Sequence, residues 1–133
     1  MFTHTQILSW TSANGTLTSN VQASADAETA LRIDVPHEST DLLVAFALDI
    51  SECKALCFLS NKAITIKTND SATPDDTIVL APNVPWTWIT GGYVAAPPLS
   101  VDITALYIDN EGTTDDDDAT LEIRCLYDST VGT

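Results

Sequence analysis

The sequence predicts an all-β fold: a single antiparallel β-sandwich, jelly-roll-like. Three observations carry that expectation. Eight to ten short runs of apolar and polar alternation recur along the chain, separated by Gly, Pro, Asn and Asp turn signals every ten residues or so. No window shows a convincing helical period. The most apolar stretch, Asp41 to Thr68, reads as strands rather than helix. Short strands without helices can bury their apolar faces only by stacking sheet on sheet.

Thr3 to Trp10 is a candidate strand, followed by the turn Ser12-Ala13-Asn14-Gly15, where Asn-Gly supplies the positive φ of a tight hairpin. Thr16 to Ala25 is rich in Thr, Ser and Asn, with Leu17 and Val21 as its apolar anchors. It reads as an exposed edge strand or an extended arm. Residues 1–27 are therefore set apart as a strand or arm region, 28–128 as the sandwich core and 129–133 as a frayed tail. Glu28 to Val35 alternates Leu31, Ile33 and Val35 against Arg32 and Asp34, and Pro36 closes it. In Asp41 to Ile50 both parities are apolar, which predicts a central strand covered on two faces. Leu43 and Phe46 are the residues of that run that could face a partner subunit. Ile64 and Ile66 then alternate with Thr65 and Lys67.

Asn69 to Asp76 is a polar loop and Thr77 to Leu80 a short strand. Val84 to Thr90 places Trp86 and Trp88 on one face, with Pro85 marking an edge strand. Gly91-Gly92 end that strand, and Pro97-Pro98 keep Tyr93 to Ser100 from forming an internal one. Val101 to Ile108 predicts a strand with Val101, Ile103, Ala105 and Tyr107 on one side. Asp109 to Asp118 is an acidic loop, and Ala119 to Asp128 closes the fold with Leu121, Ile123, Cys125 and Tyr127 inward.

Length and charge exclude several roles. The 133 residues make one comfortable domain. A formal charge of −14, from nineteen acids and five scattered bases, argues against direct binding to nucleic acid or to an anionic membrane. No apolar run approaches the ~18 residues of a membrane-spanning helix. Met1 to Thr5 lacks the basic and apolar regions of a signal peptide, so synthesis in a cytoplasm without a signal peptide is expected. Cys53, Cys57 and Cys125 then read as reduced and buried.

No catalytic constellation emerges. His4 and His37 have no nucleophile motif beside them, and there is no phosphate loop, no Cys-x-x-Cys and no His-x-x-x-His. Catalytic, cofactor and metal residues are all expected to be none. The run Asp109 to Asp118 lacks the calcium-loop pattern: Glu111 stands where a small acid belongs and Thr120 where the closing Glu belongs. Four consecutive aspartates, Asp115 to Asp118, predict a mobile hydrated tip, and His37 a solvent-exposed side chain. Trp86, Trp88 and nearby Tyr93 are candidates for a core wall, a subunit contact or a sugar-stacking platform.

One segment resembles a known group. NDSATPDDTIVL, Asn69 to Leu80, is followed by VPWTWIT, then by ALYIDNEG and, past an acidic gap, ATLEIRCLYD. This order resembles small β-sandwich proteins of tailed-bacteriophage virions, in particular head decoration (cement) proteins. The similarity runs from Lys62 to Asp128 and rests on turn and alternation patterns. It implies a non-enzymatic virion protein on the capsid exterior. Such a protein binds the major capsid protein and copies of itself, usually as a homotrimer, through sheet edges and terminal arms. Its expected contact residues here are Trp86, Trp88, Tyr93, Leu43 and Phe46. The alternative expectation is a carbohydrate- or receptor-binding module of a fibre or tail, which requires Trp86 or Trp88 to be exposed.

Overall fold

The computed structural model describes residues 1–129. The expected tail, 129–133, lies outside the described residues except for Ser129. Ten strands run β1 (Phe2–Ser12), β2 (Gly15–Ala25), β3 (Ala27–Val35), β4 (Leu42–Val44), β5 (Cys53–Ser60), β6 (Ile64–Thr68), β7 (Thr77–Leu80), β8 (Trp86–Ile89), β9 (Leu106–Asp109) and β10 (Ala119–Tyr127). β1 and β2 pair only with each other. The other eight form two four-stranded antiparallel sheets, ordered β3-β10-β5-β8 and β4-β9-β6-β7. From β3 to β10 the chain crosses between the two sheets at every connection except the β6–β7 hairpin. That winding is the jelly-roll order, and the fold is an all-β sandwich.

Alternation decides which side chains meet. Leu121, Ile123 and Cys125 of β10 stand opposite Ser60, Phe58 and Leu56 of β5. Phe58 and Leu56 stand in turn opposite Trp86 and Trp88 of β8. From the second sheet come Ile64 and Ile66, Ile78 and Leu80, Leu106 and Ile108. Phe58, Ile66, Leu106, Ile108, Leu121 and Ile123 are completely buried between the sheets. Phe46 meets Phe58 edge-on, with ring centroids 6.2 Å apart.

Two expected strands are corrected. Asp41 to Ile50 is not a central strand. Only Leu42–Val44 forms a strand, at the edge of its sheet, and Leu48 adds an isolated bridge to Ile103. Val44, Phe46 and Leu48 point inward, whereas Leu43, Ala45 and Ala47 face solvent. Alanines are small enough to leave a face open, so apolar residues at both parities did not mean burial at both. The run ends where Asp49 Oδ1 accepts the Ser51 N–H (3.0 Å) and turns the chain into a 3-10 turn, Ile50–Glu52. Val101 to Ile108 is also not one strand. Ile103 bridges Leu48, and β9 starts only at Leu106, with Leu106 and Ile108 inward. Asn69 makes the break: its Oδ1 accepts the Thr104 N–H (2.7 Å) and its own N–H reaches Ala105 O (2.9 Å).

Double-sided burial does occur, elsewhere. Ala55–Leu56, Trp88–Ile89 and Cys125–Leu126 are adjacent buried pairs. Leu56, Trp88 and Cys125 face the sandwich core, while Leu126, Ala55 and Ile89 make one row across three strands on the outer face. Ala23 and Ala25 of β2 cover that row, with Val21 at its margin.

Candidate functional site

The hairpin of β1 and β2 is a two-stranded ribbon of eleven paired rows, from Phe2↔Ala25 to Ser12↔Gly15. At ~3.4 Å per row it is roughly 35 Å long. Its turn takes its positive φ at Gly15 (118°), not at Asn14. Pairing puts directly opposed residues on one face. One face therefore carries Phe2, His4, Gln6, Leu8, Trp10 and Ser12 with Gly15, Leu17, Ser19, Val21, Ala23 and Ala25. The other carries Thr3, Thr5, Ile7, Ser9 and Thr11 with their Thr, Ser, Asn and Gln partners.

The two halves of the apolar face differ in what covers them. Near the base it lies on the sandwich through Ala23 and Ala25. Gln6 Nε2 donates to Thr87 Oγ1 (2.9 Å), and His4 Nε2 lies 2.7 Å from Glu28 Oε2. A groove of about 410 Å³ remains there, bordered by His4, Gln6, Cys57, Thr87 and Arg124. Beyond this point every residue from Ile7 to Asn20 is exposed. Trp10 is 71% and Leu17 76% exposed, and Leu8 stands beside them on the same face. The distal half of the face is thus apolar and bare, a pattern that marks contact surfaces.

The residues expected at a contact separate into two groups. Tyr93 and Leu43 are exposed. Phe46 and Trp88 are core residues, which corrects their assignment to a contact surface. Trp88 Nε1 donates to Val94 O (2.9 Å), so its polar end is satisfied internally. Trp86 is half-buried and stacks on Phe58 at 5.3 Å between centroids. β8 is an edge strand, as Pro85 suggests, but an edge strand of a sandwich still turns one face to the core. Trp88 therefore offers no ring for sugar stacking, while Trp86 keeps part of its ring exposed. Leu17 was expected as an apolar anchor of its strand, but Trp10, Leu8 and Leu17 were not among the expected contact residues. Their signal was Trp10 and Leu17 set in a segment without a single formal charge.

The acidic loop is held rather than loose. Asp115–Asp117 form a 3-10 turn, and Asp117 Oδ2 accepts the N–H groups of Thr113 (3.0 Å) and Thr114 (3.2 Å). Those bonds hold the Asp117 carboxyl below its usual range. Asn110, 2% exposed, donates through Nδ2 to Val35 O (3.0 Å) and Asp117 O (2.8 Å), and accepts the Gly112 N–H (3.0 Å). His37 is not solitary. Asp118 Oδ1 takes both its Nδ1 (2.7 Å) and its backbone N–H (2.9 Å), with Asp115 Oδ1 at 3.8 Å. The Asp118 hydrogen bond raises the His37 pKa, and the same contacts lower that of Asp118. The three side chains could offer ligand atoms within 4.8 Å of one another. Asp118, however, already serves two donors of His37, and this exposed group reads as a charge-stabilised latch between two loops.

Two of the three thiols are pushed away from the thiolate, while the hydrogen bond with Cys125 lowers the pKa of buried Cys53. Cys53 and Cys125 are buried and free, and Cys57 is half-buried. Burial raises the Cys57 pKa, and the contact with Cys53, together with burial, raises that of Cys125 far out of the thiolate range. On the outer face of the second sheet, Lys67 Nζ bridges Asp41 and Asp109 (2.9 Å to Asp109 Oδ2), an ion-pair network joining β4, β6 and β9. Among the described residues no helix is long and apolar enough to cross a membrane. No protein-family model, curated protein or solved structure matches this chain.

Proposed function

We propose that this chain is a non-enzymatic structural protein of a tailed-bacteriophage virion. In this reading it decorates or cements the capsid exterior, binding the major capsid protein and copies of itself, with a homotrimer as the expected oligomer. The observation that carries the reading is the ribbon. Its distal half presents Leu8, Trp10 and Leu17 to solvent on one face and, apart from Ile7, hydroxyl and amide side chains on the other. A two-stranded ribbon is marginal in water when nothing lies against it. A long arm with free edges and a bare apolar face is the equipment of a protein that adds itself to a neighbour.

The sandwich itself selects no function, since the jelly roll serves viral capsid, lectin and cupin domains alike. The resemblance between Lys62 and Asp128 supports the virion setting, and the ribbon supports the assembly role. Mixing the purified chain with capsid shells of the candidate phage that lack it, then sedimenting the shells, tests the proposal. Saturable co-sedimentation that Trp10→Ser reduces is expected. A chain that stays in the supernatant at every shell concentration refutes it.

A further inference from the structure

The charges of this protein are segregated. All nineteen acids and five bases lie in 26–76 or 102–133; residues 1–25 and 77–101 carry none. Among the described residues, eleven of the twelve exposed large apolar side chains fall in those two uncharged segments, Leu43 being the exception. The segments also meet in space. Gly91 lies 3.8 Å from Val21 Cγ1 and Gly92 lies 3.8 Å from Gln6 Oε1, measured from where a Cβ would sit. The turn that exposes Tyr93 and Val94 therefore starts where the ribbon leaves the body.

We propose that the bare half of the ribbon seats on the exposed Tyr93–Val94 turn of a second copy of this chain, with Trp10 against Tyr93. The inference rests on the assembly reading above and names a partner for that same ribbon. Charge selects the occupant. A basic partner would be drawn to the acidic body, not to the element that has no acid. An uncharged apolar face matches another uncharged apolar face, and this chain supplies one. Two bodies of charge −14 repel each other. An arm whose free rows span about 17 Å at ~3.4 Å per row lets them touch while most of their charge stays beyond the ~8–10 Å screening length of physiological salt. Leu8, Trp10 and Leu17 offer roughly 400 Å² of apolar area. With an equal acceptor area each seating buries roughly 800 Å², and three such head-to-tail seatings close a trimer.

The test uses the full chain alone, by sedimentation equilibrium across the micromolar range at low and high salt. Expected is a mass that rises with concentration above 14.2 kDa, with association tightening as salt screens the bodies. Trp10→Ser weakens self-association roughly 30-fold, the factor corresponding to a ~2 kcal/mol hot spot. Ile7→Ser, on the opposite face, leaves it unchanged. Mixing Trp10→Cys with Tyr93→Cys protein gives a disulfide-linked dimer under oxidation, while Ile7→Cys with Tyr93→Cys does not. All of these positions are exposed, so the fold is retained, which far-UV circular dichroism checks. A monomer at every concentration, or association that salt weakens, overturns the inference. A monomer that still coats shells sinks this contact and spares the assembly reading; an oligomer that ignores shells does the reverse.

Discussion

Replacing Trp88 and Trp10 by alanine separates the two roles that tryptophan plays in this chain. Trp88 is 6% exposed, stands opposite Leu56 and donates its Nε1–H to Val94 O at 2.9 Å. Trp88→Ala removes a buried ring, for which the cost is about 3–5 kcal/mol. It also strands a carbonyl, adding roughly 1 kcal/mol. Trp10, 71% exposed, makes no core contact, and Trp10→Ala should stay within about 0.5 kcal/mol for the monomer. Unfolding a chain of 133 residues carries an entropy near 0.28 kcal/mol/K at ~2.1 cal/mol/K per residue. A loss of ~4.5 kcal/mol then lowers Tm by about 16 °C, against about 2 °C or less for Trp10→Ala. Urea unfolding followed by circular dichroism, at dilution where self-association is absent, measures both. A Trp88→Ala variant that loses under ~1 kcal/mol would show that this ring lies outside the core and would restore the sugar-platform reading. A comparable loss for Trp10→Ala would mean that the ribbon is packed on its own body.

Three further outcomes concern the end of the sandwich where the acidic loop is tied down. Asn110→Ala leaves Val35 O, Asp117 O and the Gly112 N–H without their partner and should cost about 2–4 kcal/mol; an unchanged urea midpoint would mean that solvent replaces those bonds freely. Gly112→Ala places its methyl 2.2 Å from Asp117 Cβ, so the 3-10 turn must shift, with an expected loss of roughly 1–3 kcal/mol and displaced amide resonances at Thr113 and Thr114. His37 has a folded-state pKa above its ordinary 6.5 because of Asp118. Its stabilising contribution is therefore complete below pH 6.5 and is lost as pH rises through the folded-state midpoint. The matching contribution of Asp118, whose pKa is lowered, is present above the ordinary carboxylate range and is lost on acidification. An imidazole titration by NMR with a midpoint at or below 6.5 would contradict the latch, and His37→Gln should flatten stability against pH above neutrality.

Strand identity was legible wherever one face is wet. Glu28 to Val35, Ile64 to Thr68 and Ala119 to Tyr127 alternate cleanly, and each is a strand with the expected face inward. Reading failed where alternation and burial part company. In Asp41 to Ile50 the small residues Ala45 and Ala47 mimic a second buried face. In Val101 to Ile108 the side chain of Asn69, more than thirty residues away, resets the parity, and no local pattern encodes that. The same holds for His37 and Asp118, which are 81 positions apart and are joined because β3 and β10 are neighbours. The true double-sided signal was present at Ala55–Leu56, Trp88–Ile89 and Cys125–Leu126. It was hard to weigh because each instance is only two residues long. It is the imprint left on the sheet by the base of the ribbon.

The ribbon is a physical anomaly for a chain of this composition. Proteins commonly protect free strand edges with Lys, Pro, bulges or inward charges, and this chain has charge to spare. Yet β1 and β2, the two longest strands, carry no Lys, Arg, Asp, Glu or Pro. A single aspartate at Leu8 or Leu17 would blunt the hazard at little cost to the monomer, since both side chains are largely exposed. Selection for solubility alone therefore gives no reason to keep the segment neutral. Selection for a contact does: an acid buried against a partner costs several kcal/mol, whereas Trp and Leu gain by leaving water. In the proposed assembly the body holds the repulsion that limits indiscriminate association and the ribbon holds the attraction. Under that proposal, separating the two along the chain lets a strongly acidic protein both stay dispersed and assemble at one defined place.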